Sequence, residues 1–221
     1  MTSQTISKAA AFCCGLFAVA LSAPALAAAP PLLEHQAPLA LDGSGTAWIL
    51  TSTALVLMMT LPGLALFYGG MVRKKNLIAT IAHSTAAMAI VTVLWFVAGY
   101  ALSFGTINGA ANNFVGGLQA LFLNGVGTHT AHALTPGLPE FLWIGYQLTF
   151  AIITPALIAG AFAERIKFSA SVLFFALWHL IVYAPICHQV WGGGWMGELG
   201  VLDFAGGAVV HVNAGVAGLV C

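Results

Sequence analysis

The sequence predicts an all-α polytopic membrane protein with five transmembrane helices, and three observations carry that prediction. Of 221 residues, 60% are hydrophobic and only 5% charged, against roughly 25% charged in ordinary soluble domains. The mean hydropathy is +0.98. Charge-free gaps run from Asp42 to Arg73, from Lys75 to Glu140 and from Lys167 to Glu198. A helix crossing the bilayer needs ~20 mostly apolar residues, so each gap holds at least one span. The formal net charge of zero argues against nucleic acid as a partner.

The first element reads as a leader rather than as part of the fold. Lys8 precedes the apolar run Ala9 to Leu21, and Ala25-Leu26-Ala27 forms a small-residue cleavage site after Pro24. This pattern predicts a cleavable signal peptide over residues 1–27. Residues 28–45 follow as a short external lead-in. Cys13 and Cys14 fall in the leader, and Cys187 and Cys221 are isolated. Such spacing supports neither a disulfide framework nor a metal site.

Residues 46–221 form the membrane domain, with spans at about 46–72, 77–103, 141–163, 168–189 and 203–221. Arg73, Lys74 and Lys75 separate the first two spans, and Arg165 and Lys167 separate the third and fourth. The linkers at 104–140 and 190–202 carry no Lys or Arg. Basic residues mark the cytoplasmic side, so the mature N-terminus lies outside a bacterial-type inner membrane. The 104–140 linker, rich in Gly, Asn and Thr, is then an external, partly ordered cap. Tyr68 and Trp143 sit near span ends and read as interface anchors. Pro62, Pro155 and Pro185 fall inside spans and predict kinks. The last span stops at Cys221 without a basic stop, which leads to the expectation of a longer protein whose N-terminal part this is.

Asp203 and His211 are the ionisable side chains inside the last span besides the Cys221 thiol. A charge near the bilayer centre costs ~2.5–3.5 kcal/mol even on lenient scales. Running inward, span five places Asp203 at its outer mouth and His211 ~12 Å deeper, near the midplane. Gly207 and Gly215 share the histidine's face at i−4 and i+4. Each residue also has a plain reading. Asp203 suits a helix cap, His211 a packed and hydrogen-bonded histidine, and Phe150 core packing. Trp191 and Trp195, flanking Gly192-Gly193-Gly194, suit an interfacial belt. The sharper reading is an outer cation site at Trp191 and Asp203, held by cation–π attraction. Below it come an apolar constriction at Phe150 and a deep, neutral His211. A cation passes such a path only by leaving its proton behind, which ammonium and methylammonium can do.

Three stretches resemble the ammonium transporter family (Amt/Mep/Rh), in particular its bacterial members. They run from Gly63-Leu-Ala-Leu-Phe-Tyr-Gly-Gly to Asn76, from Phe162-Ala-Glu-Arg to Phe168, and from Trp191-Gly-Gly-Gly through Asp203-Phe-Ala-Gly-Gly-Ala-Val-Val-His211 to Ala214. The resemblance implies an ammonium site walled by Trp191 and supported by Asp203. It also implies a first gate phenylalanine at Phe150 and a first pore histidine at His211. It implies an eleven-span fold with an inverted repeat, of which five spans are the first repeat. The full-length form is then a homotrimer that a PII-type signalling protein can plug, needing no cofactor and catalysing no reaction. The second gate phenylalanine, the second pore histidine and the site's serine are expected outside these residues, so the chain alone is expected not to conduct. Two other readings compete. One is an ammonium sensor of the same family. The other is a haem-binding subunit using His83, His179, His188 and His211, of which only His179 and His211 share a depth.

Overall fold

The computed structural model describes residues 41–127 and 129–221. The leader, Cys13, Cys14 and most of the 28–45 lead-in lie outside the described residues. Among the described residues, four helices are long and apolar enough to cross a membrane: α1 (Gly43–Met71), α2 (Lys74–Phe104), α3 (Glu140–Ile158) and α4 (Phe168–Glu198). A shorter apolar helix, α5 (Gly207–Val220), follows. The protein is an all-helical, multi-pass membrane protein.

Helix boundaries follow local chemistry. Asp42 caps α1, its Oδ1 accepting from the Ser44 backbone N–H at 3.0 Å and from the Ser44 hydroxyl at 2.6 Å. The helix therefore begins at Gly43, inside the expected lead-in. At Pro62 the chain cannot donate a backbone bond, and Leu61 turns extended (φ −132°, ψ 115°) within a π-helical turn over Met59–Leu64. The expected kink is present there. Further π-helical turns occupy Trp95–Gly99, His179–Tyr183 and Gly207–Val212. The helix of the third span ends at Ile158 rather than 163, and the fifth starts at Gly207 rather than 203.

α3 lies at the centre. α1 and α2 pack against it, α2 also packs against α4, and α5 lies on the flank of α3. The core joins Trp95, Tyr100 and Phe104 of α2, Ile144 and Ile152 of α3, and Phe175 and Tyr183 of α4. The Trp95 indole N–H donates to the Ile144 carbonyl at 3.2 Å, satisfying a polar tip buried in an apolar interior. α1 stays peripheral, and Trp48, Leu55, Leu66 and Phe67 face outward. In water such a face would be a liability; in lipid it is at home.

Tyr68 is not an interface anchor. Its hydroxyl donates to the Leu157 carbonyl at 2.7 Å, tying α1 to α3. Gly160 allows this approach, because a Cβ there would stand 2.7 Å from the Tyr68 ring. Trp143 likewise turns inward, edge-on to Phe104 at 5.6 Å. At the same end as Tyr68, the α1–α2 turn is tied to the turn after α3. The Glu164 carboxylate accepts from the Arg73 backbone N–H and Nε, from Arg73 Nη2 and from Asn76 Nδ2 at 2.7–3.2 Å. These bonds hold the Glu164 carboxyl down to about 2, the Arg73 side-chain bond being the largest cause. The tie is therefore complete above the ordinary carboxyl value of 4.5 and is lost only as pH falls through about 2. A cleft of about 390 Å³ opens beside it, lined by Tyr68, Arg73, Gly160 and Glu164.

Replacing Tyr68 with Phe removes one interhelical bond and is expected to lower the unfolding free energy by ~1 kcal/mol. Gly160→Ala is expected to cost ~1–3 kcal/mol by overpacking against that ring. Chemical denaturation of the protein in detergent micelles measures both.

Candidate functional site

The candidate residues meet where the end of α4 turns into α5. α4 unwinds at Gly192–Gly194 after Trp191 and resumes for one turn over Trp195–Glu198. The chain then returns through residues 199–206 to start α5. Trp191 bridges the two arms, its indole N–H donating to the Asp203 carbonyl at 3.0 Å. Its ring stands edge-on to Phe150 of α3, with centroids 5.8 Å apart and planes at 71°. Phe150 is itself edge-on to Tyr146 at 5.0 Å. Trp191, Phe150 and Asp203 thus form one cluster, and all three are half-buried. Trp195 is separate from it, donating to Gln189 Oε1 at 2.9 Å.

Asp203 is an N-terminal cap set a few residues ahead of its helix. Its Oδ2 accepts from the backbone N–H groups of Ala208 and Val209 at 3.0 and 2.9 Å. The carboxylate thereby satisfies two donors that a helix start leaves orphaned and meets the positive end of the helix dipole. Oδ1 is buried and makes no hydrogen bond among the described residues. Gly206 makes the reversal between carboxylate and helix possible by adopting φ +78°. A Cβ there would lie 2.8 Å from the Val210 side chain and in contact with the Trp191 ring.

The stretch between Asp203 and His211 is not one continuous helix. The 12 Å figure assumed a continuous helix from Asp203. The helix begins at Gly207, so His211 sits about one turn, ~6 Å, beyond the capped end. Its side chain is exposed and makes no hydrogen bond among the described residues. Gly207 and Gly215 are exposed on the same face. The opposite face, Val209, Val210, Asn213 and Ala214, is buried. His211 therefore does not pack inside this bundle; it belongs to an open face.

His188 and His179 serve the interior. His188 Nδ1 lies 3.0 Å from the Ser103 carbonyl and Nε2 lies 2.6 Å from the Asn112 carbonyl, so both nitrogens are occupied. Gln189 Nε2 donates to the Phe114 carbonyl at 3.2 Å. The linker thus clamps the end of α4 that carries Trp191, a role sequence spacing gave no signal for. His179 is fully buried between Trp95 and Tyr183, whereas His211 is exposed. Among the described residues no group of three or more His, Cys, Asp or Glu is placed to hold a metal ion.

Comparison with known proteins bears on this junction. The model of the Ammonium Transporter Family matches residues 47–221. The chain is 50% identical over 167 residues to an ammonium transporter of Bacillus subtilis, covering 76% of this chain and 40% of that protein. It is 49% identical over 181 residues to one of Aquifex aeolicus, covering 81% and 41%. Among solved structures, Saccharomyces cerevisiae Mep2 superposes with a TM-score of 0.73 at 36% identity, covering 81% of this chain and 39% of that one. The chain thus spans about two fifths of the length of the relatives it matches.

Replacing Asp203 with Ala is expected to destabilise the start of α5 by ~0.5–2 kcal/mol. Asp203→Asn keeps an oxygen acceptor and is expected to retain most of that stability. Amide exchange at Ala208 and Val209 distinguishes the two variants.

Proposed function

This chain belongs to the ammonium transporter family, and from that premise we propose that its α4–α5 junction recruits ammonium and passes ammonia along the open face of α5. The observation that carries the reading is the joining of Trp191, Phe150 and the Asp203 carbonyl in one cluster, with His211 a turn beyond. In this reading the basic turns at Arg73–Lys75 and Arg165–Lys167 face the cytoplasm of an inner membrane. The 104–140 linker and the α4–α5 junction then face outside. Each step follows from side-chain chemistry.

Ammonium is a small donor-only cation. An aromatic face beside a carboxylate attracts it, the ring contributing ~0.5–2 kcal/mol. The Asp203 carboxylate already accepts two backbone bonds, so it acts chiefly by holding Trp191 and Gly206 in place and by its negative field. Phe150 offers no replacement for lost water, which disfavours the charged form. Ammonium gives its proton to water at the outer vestibule, and neutral ammonia passes the ring. Beyond it, His211 presents an imidazole that can donate at one nitrogen and accept at the other.

The open α5 face has no facing wall among the described residues. Inverted-repeat transporters place their path between two halves. We therefore read residues 41–221 as supplying one wall, with the facing wall, gate phenylalanine, histidine and serine supplied by further chain. In the same reading the full-length protein is a homotrimer. A PII-type protein covers its cytoplasmic mouth, where Lys74, Lys75, Arg165 and Lys167 are exposed.

Two outcomes are expected in labelled methylammonium uptake by cells. The 221-residue chain alone gives none above background, and uptake by it would overturn the one-wall reading. In the full-length protein, Trp191→Ala raises the half-saturating concentration about 2- to 30-fold, the equivalent of the cation–π contribution. An unchanged value would remove Trp191 from the site.

A further inference from the structure

The linker between α2 and α3 carries a buried histidine for which the transport reading has no use. His132 is 7% exposed and stands among three rings. Trp143 stacks on it at 6.2 Å, and Phe104 and Tyr100 meet it edge-on at 5.8 and 6.4 Å. The Leu134 backbone N–H donates to its Nδ1 at 3.3 Å, and its Nε2 lies 3.3 Å from the Phe104 carbonyl. One partner is a donor and the other an acceptor, so only the neutral ring with its proton on Nε2 satisfies both. A second proton would sit on Nδ1, facing the Leu134 N–H, and that bond would be lost.

The neighbouring groups give the charged ring somewhere to go. Glu140, buried at the start of α3, exerts its field on His132. Its Oε1 accepts from the Tyr100 hydroxyl at 2.8 Å, and its backbone N–H donates to Thr130 in the same linker. On α1, Asp42 touches the linker through its backbone N–H to Gly137 and is occupied by Ser44. On α4, His188 is held by two carbonyls. His129, in the linker itself, is exposed. Glu140 is thus the carboxylate placed to receive a charged His132.

We propose that His132 is an acid-sensitive latch: neutral, it pins residues 130–140 to the end of α2, and protonated, it releases them and turns to Glu140. Burial pushes His132 below the ordinary value of 6.5, with the Phe104 bond and Glu140 opposing in part. The latch therefore contributes fully above about pH 6.5 and is lost as pH falls below it. The same linker holds His188 and Gln189 through Asn112 and Phe114. Release accordingly loosens the segment bearing Trp191, whatever solute the junction handles.

Amide exchange of the full-length protein in lipid nanodiscs, corrected for intrinsic pH dependence, tests the latch without any transport assay. Opening of residues 130–140 is expected to rise severalfold between pH 7.5 and 5.5, the direction set by a folded-state value held below the ordinary 6.5. His132→Gln offers a donor and an acceptor but does not titrate, and should abolish the acid response. Glu140→Gln removes the receiver and should shift opening to lower pH. Constant protection in the natural protein, or the same acid response in His132→Gln, would overturn the proposal. Should His132→Gln not fold, an unshifted midpoint in Glu140→Gln overturns it instead.

Discussion

A helix that starts within an apolar layer exposes its first backbone N–H groups to surroundings that offer no partner, at a cost of several kcal/mol each. In α5 the Asp203 carboxylate takes two of them, at Ala208 and Val209. To reach them the chain must reverse at Gly206, and that reversal presents the Asp203 carbonyl to the Trp191 indole. The position of Trp191 against Phe150 then follows, as does the one-turn offset of His211. One carboxylate thus sets both the start of the helix and the shape of the candidate site. The plain reading of Asp203 as a cap and the functional one describe the same bonds.

The polar groups of the interior obey the same rule. The linker is not a loose cap but a set of carbonyls and amides spent on buried side chains. Phe104 and Leu134 serve His132, Asn112 serves His188 together with Ser103 of α2, and Phe114 serves Gln189. Buried polar groups left unmade would each cost ~1–3 kcal/mol, so the linker and the end of α4 stabilise one another. At the opposite end Glu164 does comparable service by gathering Arg73 and Asn76. The bundle is fastened at both ends by side chains, and between them by packing around Trp95, Phe175 and Tyr183.

Much of this architecture was legible in the chain, because hydropathy gaps of 30 residues or so admit little but helices crossing a membrane. The kink at Pro62 was legible for the same reason, since proline removes a backbone donor whatever surrounds it. Tyr68 and Trp143 were not. An aromatic residue near a span end fits an interface belt by composition alone, and only the neighbours Leu157 and Phe104 reveal an inward turn. At the junction, residue types pointed to Trp191, Asp203 and Phe150 because each is costly or unusual in its place. The indole-to-carbonyl bond carried no signal, as no spacing rule links a side chain to a backbone oxygen twelve residues on. The break between Asp203 and His211 was not legible, because helix geometry was extended through Gly206, where a left-handed residue interrupts it.

The central claim is that the face of α5 bearing Gly207, His211 and Gly215 borders a path for a small polar solute rather than lipid or a dry helix contact. The most direct measurement is single-cysteine labelling across residues 207–216 of the full-length, otherwise cysteine-free protein, using small water-soluble thiol reagents. Cysteines at 207, 211 and 215 are predicted to react and to be protected by methylammonium, while those at Val209, Val210 and Asn213 stay silent. A face that stays unreactive to water-soluble reagents, or reacts without protection by methylammonium, would contradict the account.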